Sequence, residues 1–254
     1  MKVKLSGVII TYNEEAKIKT CIESLEPVCD EILVVDSFST DKTKEICESK
    51  NVTFLTNEFL GHIEQKNFAK SMAKYNYIIS LDADEVLDEN AQESVLKIKE
   101  NWDQNGYYFN RLNNYCGKWI RYGSWYPDLK LRLWDRRLGS WGGINPHDEF
   151  KFKNATKAKT LNGYILHYTA DNKEQYKKQM EYFSDIAAKA YYAKNKKSSL
   201  LKIIFNPLFR FLRDYIIKLG VLDGAEGFQV CKATAYGTYL KYVQLKKMNK
   251  LKNS

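Results

Sequence analysis

The first hundred residues carry a rhythm that few folds accommodate. Short apolar, β-branched runs alternate with single helical segments. "LSGVII" (5–10), "EILVVD" (31–36), "VTFLT" (52–56) and "YIISL" (77–81) read as strands. Between them, Glu14 to Leu25 has helical character, "STDKTKEICESK" follows Ser39 or Thr40 as a helix cap, and "IEQKNFAKSMAK" (63–74) is a third helix. Asn90 to Lys99 is helical again. This alternation predicts an α/β fold with a mostly parallel central sheet and flanking helices. In such sheets ligands bind beyond the carboxyl ends of the strands. "TYNEE", "DSFSTD" and "DADE" all fall there.

Residues 107 to 168 change character, with short aromatic strands near "GYYFNRL", "LKLRLW" and "GYILHY" and four tryptophans between Trp119 and Trp141. From Lys173 onward the pattern is helical in three segments, and the tail after Lys246 reads as frayed. The expected organisation is one domain over 1–170, made of an alternating α/β half (1–100) and an aromatic half (101–170), followed by a basic helical C-terminal extension over 171–254.

Charge supports that division. From Asp171 to the end the chain carries 17 Lys and Arg against 7 Asp and Glu, a net of +10. The first 170 residues carry 23 against 24, so the basic excess lies wholly in the last third. An anionic partner is implied, either a nucleic acid or a membrane surface. The charge allows a basic nucleic-acid-binding module, but no recognisable nucleic-acid motif accompanies it. Five cysteines without a CxxC pair suit a reducing compartment. With neither a signal peptide nor a spanning segment in the sequence, a cytoplasmic protein is expected.

The acidic run at 82–85 costs stability by mutual repulsion unless something cationic sits among the carboxylates. As a solvated loop it would need no further account. As a metal site it has chemistry: Mg²⁺ and Mn²⁺ prefer carboxylate oxygens and bind through one or two of them plus substrate phosphates. Asp82 and Asp84 fall on the same side if the segment is extended. Neither GxGxxG nor GxxxxGK[ST] is present, so no glycine-rich loop cradles a phosphate.

"VIITYNEEAKI", "EILVVDSFSTDKT", "QKNFA" and "IISLDADEVL", in this order and spacing, resemble the family 2 glycosyltransferases of the GT-A fold. "HDEF", "LHYTADNKEQY" and "LRDYIIKLGVLDGAEGF" are similar to the branch of lipopolysaccharide-core β-1,4-glucosyltransferases. Members of that branch are cytoplasmic enzymes that modify an inner-core heptose. The likeness runs to about Leu245; its front motifs are specific to the family, and those behind point to the branch.

The resemblance implies an inverting, metal-dependent transferase that takes a hexose, glucose from UDP-glucose, to a saccharide or glycolipid of the cell envelope. Thr11, Tyr12, Asn13 and Glu14 would line the nucleotide pocket, and Asp36 would meet uracil and ribose. Lys66 and Asn67 would approach the pyrophosphate or base, and Asp82 the ribose or a metal-bound water. Asp84, with His167 from the C-terminal side, would ligate the Mg²⁺ or Mn²⁺. Each has a plainer reading: a turn residue for Asp36, an exposed helix face for Lys66 and Asn67, a structural strand-end histidine for His167. Glu85 begins the next element.

An inverting transferase needs a carboxylate to take the acceptor hydroxyl's proton. Asp148 stands in the family's carboxylate position, one methylene short of a glutamate, and Glu149 is the alternative. Arg132 in "LKLRLW" is expected to face an acceptor phosphate; otherwise it is a half-exposed strand arginine. His62 and His147 have weaker claims, and core packing accounts for most of the tryptophans.

Two other readings share the layout: a sugar-nucleotide pyrophosphorylase, which would carry a glycine-rich N-terminal loop, and a non-catalytic nucleotide-sugar sensor. Finally, "PLFRFLRDYIIKLG" places Arg210, Arg213, Asp214 and Lys218 on one helical face and mostly apolar residues on the other. With Pro207 in its first turn and Gly220 at its end, a helix over 208–219 is predicted. Its apolar face either packs on the protein or attaches to an anionic membrane.

Overall fold

The computed structural model describes residues 2–144, 147–154 and 157–251. In chain order the regular elements begin with β1 (Leu5–Thr11), α1 (Ile18–Leu25), β2 (Glu31–Asp36), α2 (Thr43–Glu48), β3 (Thr53–Thr56) and α3 (His62–Met72). Next come β4 (Tyr77–Asp82), β5 (Glu85–Leu87), α4 (Glu89–Glu100), β6 (Gly106–Tyr115), β7 (Lys118–Ile120) and β8 (Leu129–Asp135). The rest are β9 (Gly139–Ile144), β10 (His147–Phe152), β11 (Ala158–Ala170), α5 (Lys173–Ala193), α6 (Leu200–Leu212) and α7 (Gly224–Leu251).

The main sheet runs β3-β2-β1-β4-β8-β6-β11-β5, with β7 paired to β6. The four strands read from the first hundred residues are parallel. Beyond β4 the pairings of β8, β6, β11 and β5 include antiparallel ones throughout the recorded register. The sheet is therefore mixed: its parallel half needs crossover helices, whereas the aromatic strands after residue 105 connect through short loops.

Strand alternation divides the core. Leu5, Ile9, Val34, Ile79 and Leu81 pack with Ile18, Ile22 and Leu25 of α1 and Val95 of α4. Val8, Leu33, Val35 and Ile78 face Ala69 of α3 with Trp134, Trp141 and Phe150. Those two tryptophans are core residues, as packing required. The β9–β10 hairpin is an antiparallel pair carried against α3, where the Lys70 ammonium donates to the Gly139 carbonyl at 2.8 Å.

Contacts group the chain into two compact units, 1–111 with 128–167, and 112–127 with 168–254. The expected boundary at 170 lies near the second cut. Residues 112–127 group with the C-terminal helices.

Within the second unit, the pattern after Lys173 yields three α-helices, with the last continuing through Leu251 rather than fraying after Lys246. The helix expected over 208–219 differs. It starts at Leu200 behind a Ser199 cap, holds Pro207 in its interior, and passes at Arg213 into a wider π turn ending at Ile217. A proline inside a helix lacks the N–H that would bond one turn back, and helix irregularities cluster at such breaks.

Asp214 explains how this segment is held. It is buried, accepting from Arg210 at 2.6 Å, Arg213 at 2.8 Å and Ser124 at 2.7 Å. Burial opposes its ionisation, but the Ser124 hydroxyl and the two guanidinium groups outweigh it and hold the carboxyl below its ordinary range. The folded-state value is depressed, so the contribution to stability is present above the unfolded value near ~3.9 and is lost as pH falls below it. Asp214→Asn is expected to cost about 2 kcal/mol near neutral pH, as a charged hydrogen-bond acceptor is lost. Thermal melting from pH 7 to 3 should show a flatter acid limb for the variant; parallel curves would refute the assignment.

Candidate active site

The parallel register aligns the carboxyl ends of three strands: Thr11 stands opposite Asp36, and Ile10 opposite Asp82. Residues from "TYNEE", "DSFSTD" and "DADE" therefore meet at one edge, although the sequence separates them widely.

The first two segments knit into a shared loop. Asn13 adopts a left-handed backbone (φ 52°), its N–H donates to Ser39 Oγ at 2.8 Å, and its Oδ1 accepts from Thr40 N–H at 2.8 Å. Glu14 N–H donates to Thr43 Oγ1 at 2.9 Å. Ser39 and Thr40 thus bind Asn13 and Asp36 instead of capping α2, which begins only at Thr43 and has no side-chain cap. Asp36 is buried and accepts from the Ser39 N–H at 2.8 Å and from the Ser39 hydroxyl, so it organises the turn. Thr11 Oγ1 is buried without a hydrogen-bond partner at the strand end, whereas the Tyr12 and Phe38 rings are exposed.

Beside this loop lies a charged cluster. Lys66 of α3 is buried and bridges Asp82 at 2.9 Å and Asp148 at 2.8 Å, with its ammonium 4.7 Å from the Trp141 ring centre. The buried Arg132 donates to Asp82 at 3.1 Å and to Glu85 at 2.7 Å. Glu85, fully buried, also holds Arg111 at 3.0 Å, which pairs with Asp128 at 2.8 Å. Burial opposes ionisation of Asp82, but Lys66 and Arg132 outweigh it and drive its carboxyl far below the usual range. The repulsion among acidic residues at 82–85 is thus answered by lysine and arginine.

Several expectations change here. Asp82 and Asp84 do not share one face of an extended segment, because β4 ends at Asp82 and a turn precedes β5 at Glu85. Asp82 joins the Lys66–Arg132 cluster, and Asp84 pairs with His167 at 3.2 Å. Arg132 is not half-exposed: β8 lies inside the sheet, and the guanidinium is buried against the buried Glu85 and the partly exposed Asp82 rather than turned to solvent. Asn67 uses its whole amide on the Trp141 backbone, donating to its carbonyl and accepting from its N–H, each at 3.0 Å. It anchors the hairpin to α3.

Strand alternation puts Asp148 and Glu149 on opposite faces of β10. Asp148 turns inward to Lys66, while Glu149 is two-thirds exposed and pairs with Lys151 at 3.1 Å. His62 packs edge-on against Phe59, and the His147 side chain lies outside the described residues. Sequence reading missed Glu85 and Arg111 as members of the cluster. The available signal was an arginine flanked by leucines in β8, which needs a buried acid to sit in a core.

Asp84 and His167 are the residues that suit a cation. The Asp84 Oδ2 to His167 Nε2 distance of 3.2 Å is close to the spacing of about 3 Å between neighbouring ligands of an ion bound at about 2.1 Å. Burial opposes ionisation of Asp84, yet His167 outweighs it and keeps the carboxyl below its ordinary range. Among the described residues no group of three His, Cys, Asp or Glu converges. A pair of ligands fits an ion that takes its remaining oxygens from substrate phosphates and water.

A mixed sheet with acidic and basic groups converging at the ends of its parallel strands is the architecture of the GT-A fold. The chain belongs to glycosyl transferase family 2, whose family model matches residues 6–178. It is 31% identical to an uncharacterized glycosyltransferase of Rickettsia bellii, over 97% of this chain and 87% of that one. It is 29% identical to the lipopolysaccharide core biosynthesis glycosyltransferase LpsC of Rhizobium meliloti, over 99% and 95%. The mannosyltransferase PcManGT of Pyrobaculum calidifontis, solved in complex with GDP-Man and Mn²⁺, shares the fold: TM-score 0.57 and 14% identity over 96% of this chain and 87% of that one.

Proposed function

We propose that the protein transfers a hexose with inversion, glucose from UDP-glucose, to a saccharide or glycolipid acceptor of a lipopolysaccharide core or another cell-envelope glycan. The observation that carries this reading is the bridge from Lys66 to both Asp82 and Asp148 at the end of the parallel strands. The relative named for lipopolysaccharide core biosynthesis supports the acceptor class.

Asp148 Oδ2 takes the proton as the acceptor oxygen forms its bond to the anomeric carbon. The bond from that carbon to the diphosphate breaks, and the diphosphate leaves with the electron pair. Lys66 provides a buried positive charge next to the base, so donor phosphates that attract the ammonium also release Asp148 for proton transfer. Arg132, fixed by Glu85, keeps Asp82 ionised. Thr11, Tyr12, Asn13, Glu14 and Asp36 shape the nucleoside end of the site. Asp84 and His167 would hold Mg²⁺ or Mn²⁺, which neutralises charge developing on the departing diphosphate. Such an acceptor places the enzyme in the cytoplasm at the inner face of the inner membrane.

The test is thermal shift against a panel of UDP- and GDP-sugars, followed by nucleotide release with and without chelator. A donor at about a hundred times its Kd should add about 2.7 kcal/mol of stability, a rise of roughly 5–10 °C for a chain of this size. UDP-glucose is expected to give the largest shift, with turnover lost in chelator. A larger shift from another sugar nucleotide would replace the donor, and full turnover in chelator would remove the metal.

A further inference from the structure

The second unit presents an apolar face to solvent. In α6 and the π turn, Leu201, Phe205, Leu208, Phe209, Ile216 and Ile217 are between half and three-quarters exposed. With Leu212, also exposed, the series Leu201, Phe205, Leu208, Leu212 and Ile216 recurs every three to four residues and forms one stripe. On the inward side Phe211 and Tyr215 pack on Phe228 of α7, and Arg210 and Arg213 close on the buried Asp214 with Ser124. The segment is therefore anchored by ion pairs and aromatic packing, and a second set of apolar side chains is left facing outward. Solvent exposure of so broad a patch is unfavourable and marks an interaction surface.

Charge identifies the occupant. Lys194, Lys196, Lys197, Lys202 and Lys218 are all exposed along the same stretch. No exposed acidic residue lies between 194 and 232: Asp214 and Asp223 are buried, and Glu226 is half-buried against Lys118. The face continues into an apolar groove between α6 and α7, of ≈ 430 Å³, whose one charged lining residue is Lys232. Two copies apposed through this face would bring like charges together. An anionic bilayer would receive both features, with lysines at the headgroups and the aliphatic and phenyl side chains at the acyl boundary. Among the described residues no helix is long and apolar enough to cross a membrane.

We infer that residues 200–222 form an interfacial membrane-docking face, selective for anionic lipid, through which the protein attaches reversibly. This deepens the placement at the membrane proposed above, but it needs neither donor nor acceptor to be identified.

The test is co-sedimentation of the full chain with vesicles of phosphatidylcholine alone or mixed with phosphatidylglycerol, at about 0.05 M and about 0.5 M salt. Tight binding is expected only with phosphatidylglycerol at low salt. The exposed double variant Phe205→Ser/Phe209→Ser should bind at least about tenfold more weakly while keeping the wild-type melting temperature. Sedimentation velocity runs alongside. Absence of binding to anionic vesicles overturns the inference, as does unchanged binding by the variant. A wild-type dimer that the variant converts to monomer, without vesicle binding, would assign the face to a second copy. Equal binding to both lipids would remove the lipid selectivity. Because no sugar nucleotide is present, failure here leaves the transfer chemistry standing, and failure of donor binding leaves this result intact.

Discussion

Asp148→Asn is expected to lower sugar transfer by ~10²–10⁴-fold, the usual loss when a general base is removed. The substitution keeps size and shape but removes the atom that accepts the proton. It equals roughly 3–5 kcal/mol in the barrier. The same change removes a charge facing Lys66, which is buried and keeps Asp82 as its remaining carboxylate at 2.9 Å. The ammonium is not orphaned, so the fold and donor binding should persist. Melting temperature and donor affinity, measured beside the transfer rate, separate lost chemistry from lost structure. Glu149→Gln should fall within about twofold of the parent, since its side chain points to solvent and Lys151. Near-normal transfer by Asp148→Asn together with inactivity of Glu149→Gln would move the role one residue along the strand.

Asp84→Ala is expected to reduce transfer by about 10²–10³-fold, the scale on which loss of one electrostatic contact to a developing charge is felt. The prediction rests on the 3.2 Å approach of Asp84 to His167. If both hold one ion, the double variant Asp84→Ala/His167→Ala should be scarcely worse than either single, because residues that act as a unit are not additive. Binding of Mn²⁺ to the enzyme with UDP, followed by calorimetry, supplies a readout apart from turnover and should weaken in each single variant. Unaltered Mn²⁺ affinity in Asp84→Ala would remove the ligand assignment. Fully additive losses would show that the two side chains serve separate purposes.

The amino-acid sequence by itself determined the four parallel strands, and with them the strand ends at which the candidate site lies. β1, β2 and β4 end at Thr11, Asp36 and Asp82, within one residue of where apolar periodicity gives way to polar residues. Periodicity is a local property, set by which side chains can share a buried face, and so it survives without tertiary information. The family was legible for a similar reason, since its motifs sit at those strand ends.

Pairings between distant residues were decided only by the tertiary structure. Asp84 meets His167 because β5 lies antiparallel to β11 with Glu85 opposite His167, a register no spacing in the chain encodes. Strand alternation puts Asp148 and Glu149 on opposite faces; packing of the β9–β10 hairpin on α3 chose Asp148 as the inward one. Arg132 looked half-exposed from its strand, and became buried because β8 is inserted between β4 and β6. The clearest case is α6. An amphipathic pattern distinguishes two faces but not which of them turns inward. In an isolated helix the apolar face is the one that gains by burial. Here three hydrogen-bonding partners gathered on Asp214 draw Arg210 and Arg213 in beside Phe211 and Tyr215, and leave Leu201, Phe205, Leu208 and Phe209 facing out.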